Sequence, residues 1–193
     1  MPRIRKSQAN RGRDWETRID RVHKRYEAAK LAYIERLHPP FLIRKRTGKG
    51  LFEGILLGRG APDYLVCSSG FTILMDAKEH KGNRFPYAKV PEHQARAFDA
   101  IRSRGGGKMV GILLINYAKA GIAVAVSWED IKETYYFWVR NRKMDIKSPP
   151  GVASLSLERA LECCLWSGES QLGALDYLPT ALLALRRREL SEE

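Results

Sequence analysis

Cysteine is scarce in this chain of 193 residues: Cys67, Cys163 and Cys164 are the whole complement. None belongs to a Cys-x-x-Cys pair and none has a histidine at zinc-like spacing, which argues against structural zinc and leaves the cysteines without an assigned role. Long apolar runs are missing too. No stretch approaches the roughly 18 residues needed to cross a bilayer, and the Arg-rich N-terminus lacks the apolar centre of a secretory signal. The expectation is a cytoplasmic protein with no membrane partner. Acid is short in one region only: residues 1–50 hold 15 Lys or Arg against 5 Asp or Glu, whereas the rest holds 19 against 17. Most of the net charge of +12 therefore lies in the first quarter of the chain. That is a polyanion-facing region on a near-neutral body, with nucleic acid the first candidate and a membrane surface the second.

What is present supports one domain. A hydrophobic content of 44% supplies a core, and no internal repeat or low-complexity segment divides the chain. Residues 1–13 are basic and aperiodic and read as a flexible arm that orders on phosphate, with Arg11 and Arg13 as contacts. Residues 14–193 read as the single domain. From Asp14, apolar residues recur at Trp15, Ile19, Val22, Tyr26, Ala29, Tyr33 and Leu37, predicting one long helix that Pro39-Pro40 stops. Residues 41–58 predict a hairpin whose turn, Thr47 to Gly50, is flanked by Arg44, Lys45, Arg46 and Lys49. Clustered cations at the tip of a projection suit insertion among phosphates, and a solvated surface explains them less fully.

A second hairpin is expected from Asp63 to Lys78, around the turn Ser68-Ser69-Gly70. Alternation along a strand puts Asp76 and Lys78 on one side and Ala77 on the other, so two carboxylates and an amine converge. Such a group suits a divalent cation held by oxygen, beside an amine that orients or activates water, and phosphodiester hydrolysis is its natural use. Glu79 to Val90 reads as a loop over this site. Pro91 opens a helix bearing His93 and Gln94 that ends at Gly105-Gly106-Gly107. Met109 to Ile115 predicts a central strand buried on both faces. Residues 120–127 predict another strand, after which Ser127 caps a helix from Trp128 to about Val139. Asn141 to Ser156 reads as a connection, Leu157 to Trp166 as a short helix, and Pro179 to Leu190 as a terminal helix. Glu16 lies in the first turn of the opening helix, where the helix dipole alone accounts for an acid about half the time.

The order helix, strand pair, strand, helix, strand resembles the PD-(D/E)xK, restriction-endonuclease-like superfamily. Several segments are similar to the RecU-type Holliday junction resolvases of bacteria and their phages. These are Asn10-Arg11-Gly12 with Trp15-Glu16, the basic hairpin at the place of the family's stalk, and Asp63 with Asp76-Ala77-Lys78-Glu79. Phe85-Pro86, His93-Gln94, Phe137-Trp138 and Leu175-Asp176-Tyr177-Leu178 follow in order. Two departures stand out: Asp76 occupies a position where the family usually carries Glu, and the stalk segment is short.

The resemblance implies an α/β fold, a restriction-endonuclease-like core in which a mixed β-sheet is flanked by helices, with a protruding basic β-hairpin stalk. It implies a Mg2+-dependent endonuclease, with Mn2+ able to substitute, that cuts four-way junction DNA in recombination and repair. Asp63 and Asp76 would bind the metal, and Glu16 would complete or extend the site. Lys78 would position or help deprotonate the attacking water. Gln94 and His93 would contact substrate or water, His93 being equally well explained by packing, and Lys81 and Arg84 would hold phosphates. A four-way junction has approximate two-fold symmetry and needs two cuts, so a homodimer is the expected assembly. Two other readings stand beside this one: a restriction or repair nuclease acting on duplex or flap DNA, and a module that binds branched DNA without cutting it.

Overall fold

The computed structural model describes residues 8–48, 51–56, 60–145, 152–170 and 175–192. In chain order the elements are α1 (Gln8–Ala28), β1 (Tyr33–Arg36), β2 (Phe41–Gly48), β3 (Leu51–Leu56), β4 (Tyr64–Ser68), β5 (Phe71–His80), β6 (Arg84–Pro86), α2 (Glu92–Gly105), β7 (Met109–Tyr117), β8 (Ile122–Ser127), α3 (Trp128–Lys143), β9 (Ser154–Ser156), α4 (Leu157–Cys163), β10 (Cys164–Glu169) and α5 (Tyr177–Glu192).

Six strands form one mixed sheet in the order β1-β4-β5-β7-β8-β10. Among the described residues only β5 and β7 pair in parallel, which requires a crossover, and α2 supplies it. The β4–β5 connection is tight because Ser69 and Gly70 have φ of 52° and 85°. Two left-handed residues in succession make the primed turn that matches the twist of a hairpin. β7 is buried along nearly its whole length, as its unbroken apolar run predicts.

Two cores lie on the two faces of the sheet. On one, α1 and α5 pack Trp15, Ile19, Val22, Tyr26, Leu178 and Leu182 against Ile73, Met75, Ile112 and Leu114. On the other, α2, α3 and α4 pack Phe98, Trp128, Tyr135 and Ala160 against Leu74, Leu113 and Val124. Each such large side chain contributes about 1.5–3 kcal/mol when fully buried. Gly111 lets α2 approach β7: a Cβ there would lie 2.6 Å from the Phe98 ring. α5 is tied to α1 by a buried hydrogen bond of 2.6 Å between His23 Nε2 and the Tyr177 hydroxyl.

The first helix differs from its expectation at both ends. It begins at Gln8, so Glu16 lies beyond the first turn and the helix dipole does not account for it. The side chains of Arg11 and Arg13, and residues 1–7 of the expected arm, lie outside the described residues. The helix ends at Ala28 instead of running on to Leu37. Lys30 takes a left-handed φ of 55°, its N–H bonds Glu27 O, and the N–H of Leu31 bonds Tyr26 O. This is the double closure of a Schellman motif, formed here without glycine. Tyr33 to Arg36 is then free to pair with β4 as an edge strand.

Further differences follow from tertiary pairing. β5 continues to His80, and the expected loop contains β6, which pairs with β9 inside the expected connection. Ser127 occupies the N-cap of α3 but makes no side-chain capping bond, and α3 runs on to Lys143. The predicted helix from Leu157 to Trp166 stops at Cys163; Cys164 to Glu169 becomes β10 because the open edge of β8 offers backbone partners. β2 and β3 form a separate two-stranded sheet. Among the described residues, no helix is long and apolar enough to cross a membrane.

Candidate functional site

The antiparallel register pairs Tyr64 with Met75, so Asp63 and Asp76 are the next opposed residues. Tyr64 and Met75 belong to the α1 face, and alternation turns Asp76 and Lys78 toward α2. The carboxylate of Asp63 reaches across to accept the Ala77 N–H at 2.9 Å, while its main-chain oxygen accepts the Leu37 N–H at 2.8 Å. Asp76 is fully buried, with Lys78 Nζ 2.6 Å from its Oδ2. Gln94, buried on α2, donates from Nε2 to Asp76 Oδ1 at 2.9 Å.

The two oxygens of Asp76 are unequal. Oδ1 has a directed donor in Gln94, whereas Oδ2 has the charge of Lys78 beside it but no bond of hydrogen-bonding geometry. Burial pushes the Asp76 carboxyl up to about 7; the Lys78 charge opposes that shift and the neighbouring Asp63 carboxylate adds to it. A buried, under-satisfied carboxylate oxygen opposite a second carboxylate is a donor set into which a divalent cation fits. Gln94 Oε1 is also buried and without a partner, so the amide has an acceptor to spare for a water or a substrate hydroxyl.

Glu16 lies elsewhere. It is on the α1 side of the sheet and forms an ion pair with Arg36 of β1, with side-chain exposures of 37% and 42%. Arg36 also pairs with Asp20 at 2.9 Å, and Tyr64 donates its hydroxyl to the other Asp20 oxygen at 2.7 Å. Among the described residues, no group of three or more His, Cys, Asp or Glu is gathered as for a metal. The chain thus brings Asp63, Asp76, Lys78 and Gln94 together and leaves Glu16 paired with Arg36 on the α1 side.

The remaining candidates are spread out. Arg44 and Lys45 are exposed on β2, and the side chains of Arg46 and Lys49 lie outside the described residues. Lys81 is exposed beyond β5, and Arg84 donates to Ser154 Oγ at 3.2 Å. His93 is half-buried on α2, with Nδ1 lacking a partner. Two polar residues on the flanking strands escaped the sequence reading. Asn116, buried in β7, donates to Glu79 Oε1 at 3.2 Å, and its signal was a lone amide closing an apolar run. Arg36 was hidden because its segment read as helix.

The family model described as RecU, Recombination protein U, matches residues 10–150, more than half of the chain. No curated protein matches the chain significantly. The matched span holds all but the first two residues of α1, the β2–β3 hairpin, the Asp63 to Lys78 hairpin, α2, β7, β8 and α3. It stops before β9, α4, β10 and α5, which nonetheless complete the sheet and both cores.

Proposed function

The chain belongs to the RecU family of recombination proteins, and from that premise we propose that it is a Mg2+-dependent endonuclease that resolves four-way DNA junctions by paired hydrolysis. The observation that carries the reading is the buried Asp76 beside Asp63, with one oxygen held by Gln94 and the other facing the Lys78 amine at 2.6 Å. The mixed sheet with helices on both faces agrees with a restriction-endonuclease-like core.

Asp63 and Asp76 are the residues that would hold the metal, and Glu16, paired with Arg36 on the α1 side, would join them as an outer or additional ligand only by leaving that pair. Bound there, the ion would supply Lewis-acid stabilisation of charge on the scissile phosphate and a more acidic water. The chain's own groups set the geometry. Gln94 fixes Oδ1, Lys78 lies beside the buried Oδ2, and the Ala77 N–H fixes Asp63 from the neighbouring strand. Lys78, only 19% exposed, keeps its amine at the edge of the carboxylate pair, where it orients the attacking water and takes part in its deprotonation.

The β2–β3 hairpin supports the junction reading. It stands apart from the main sheet, bears Arg44 and Lys45 exposed, and also exposes Phe41, Leu42, Ile43, Ile55 and Leu56. Cations suit the phosphates of the junction, and an apolar strand surface of this kind suits burial against a second copy, which would put two sites on equivalent strands. Cleavage of duplex or flap DNA uses the same site chemistry. Binding without cleavage does not explain two carboxylates facing a polyanion, because without a cation they would repel it.

The test presents the protein and Mg2+ with a labelled four-way junction, a flap, a duplex and a single strand. Symmetric paired nicks confined to the junction are expected. Equal cutting of duplex or flap would overturn the junction assignment, and binding without any cutting would overturn the nuclease assignment.

A further inference from the structure

The acid that the family resemblance puts at the metal is engaged with a cation on the opposite face of the sheet. Arg36 is the last residue of β1 and lies beside Tyr64 in register. Its guanidinium is a fork shared by two carboxylates one turn apart on α1, NH2 on Glu16 and NH1 on Asp20. It also lies over the Tyr64 ring, 5.8 Å from the centroid.

Three features make this contact exchangeable. First, both side chains of the Glu16–Arg36 pair are partly exposed, and an ion pair in water holds only weakly. Second, the two acids do not depend on Arg36 equally: Asp20 keeps the Tyr64 hydroxyl if the guanidinium leaves, whereas Glu16 loses its ion pair. Third, Arg36 is placed between two surfaces that meet DNA in the proposed function. The next residue, Leu37, is bonded to the main chain of Asp63, and the basic hairpin opens at Phe41. A guanidinium exchanges a carboxylate for a phosphate with its planar two-point geometry intact.

We propose that Arg36 is a phosphate-sensing latch on Glu16. Without DNA the guanidinium holds the Glu16 carboxylate away from the Asp63–Asp76 pair. When a backbone phosphate arrives beside β1, Arg36 transfers to it and Glu16 is freed to serve the metal. The third acid is thereby delivered only on substrate, which limits cutting to DNA that reaches both the hairpin and the site. This rests on the reading of Asp63 and Asp76 as metal ligands.

The experiment measures Mg2+ binding by titration calorimetry with DNA-free protein, then with protein saturated with a junction carrying uncleavable phosphorothioate linkages. Arg36→Gln is expected to tighten Mg2+ binding without DNA by about threefold to fivefold, the factor of a lost exposed ion pair. That gain vanishes in the Glu16→Gln, Arg36→Gln double variant, and it vanishes on the junction, where phosphate has already opened the latch in the wild type. Arg36→Lys keeps a cation with a single contact, gives an intermediate gain, and serves if Arg36→Gln does not fold. Unchanged or weaker Mg2+ binding by the folded Arg36 variants, or a gain that survives Glu16→Gln, would overturn the latch. Asp76→Asn separates the two levels of argument: unchanged Mg2+ binding by that variant overturns the metal site itself.

Discussion

Two groups of the same composition lie on opposite faces of one sheet edge. Asp63, Asp76 and Lys78 face α2, and Glu16, Asp20 and Arg36 lie on the side of α1. Each is two carboxylates and one cation, yet solvent makes them different objects. Asp76 is fully buried, its carboxyl is pushed up to about 7 and one oxygen has only the Lys78 amine beside it. In the second group Arg36 reaches both acids, Tyr64 adds a donor, and the ion-paired side chains are 34–42% exposed. A cluster of acids suits a further cation when one amine alone faces it in a dry place, and becomes a surface network when water and a fork of donors share the load.

The largest expected effect breaks the buried group. Asp76→Asn should lower junction cleavage by on the order of a thousandfold, since several kcal/mol of transition-state stabilisation is at stake. Junction binding should survive or tighten, and a gel-shift and a cleavage assay on the same variant separate the two. Cleavage at the wild-type rate would remove the site.

The pH dependence of stability comes next. Asp76 keeps its proton in the folded chain up to about 7, so its contribution is lost as pH rises from the ordinary carboxylate range through 7. His23 acts in the opposite sense. Burial lowers it to about 4, so stability is lost as pH falls below about 6.5 toward 4. The two trends overlap, and Asp76→Asn isolates the first. Metal-free, that variant should melt higher than the parent at pH 8 and much less so at pH 5, with about 2–4 °C per kcal/mol in a chain of this size. Mg2+ should raise the parent's Tm at pH 8 and leave the variant's unchanged. A parent curve insensitive to Mg2+ counts against a cation at Asp63 and Asp76.

Much of the buried group was legible because local rules wrote it. Ser69-Gly70 forced a tight turn, alternation set Asp76 and Lys78 on one side, and the unbroken run from Met109 marked the central strand. The surface group was not legible, because its geometry depends on a helix that stops at Ala28 through a left-handed lysine and on an edge strand whose only reason to exist is β4. Apolar spacing from Trp15 to Leu37 fits a helix throughout, and nothing in that spacing announces the Schellman closure. β10 was missed for the same cause: Cys164 to Glu169 pairs because β8 offers an edge, a fact fixed by residues some forty positions away.

The basic hairpin gives a smaller effect, on recognition alone. Deleting residues 44–49 removes Arg44, Lys45, Arg46 and Lys49 from a sheet that shares no strand with the main one. Junction binding should weaken on the order of tenfold, and the slope of log affinity against log salt should fall by up to about 3–4. Duplex binding should change less. Equal losses on both would reduce the hairpin to general charge.

The smallest effect tests whether the surface group is a network and not a second site. Asp20→Asn removes one arm of the Arg36 fork but leaves an amide oxygen within reach of the Tyr64 hydroxyl. An exposed ion pair is worth about 0.2–1 kcal/mol, so the expected change in urea-unfolding stability lies within that range. Metal affinity should not rise as it does for Arg36→Gln, since the guanidinium then serves Glu16 alone. A loss of several kcal/mol would mean that this group is as dry as the one around Asp76, and that the contrast between the two faces does not come from solvent.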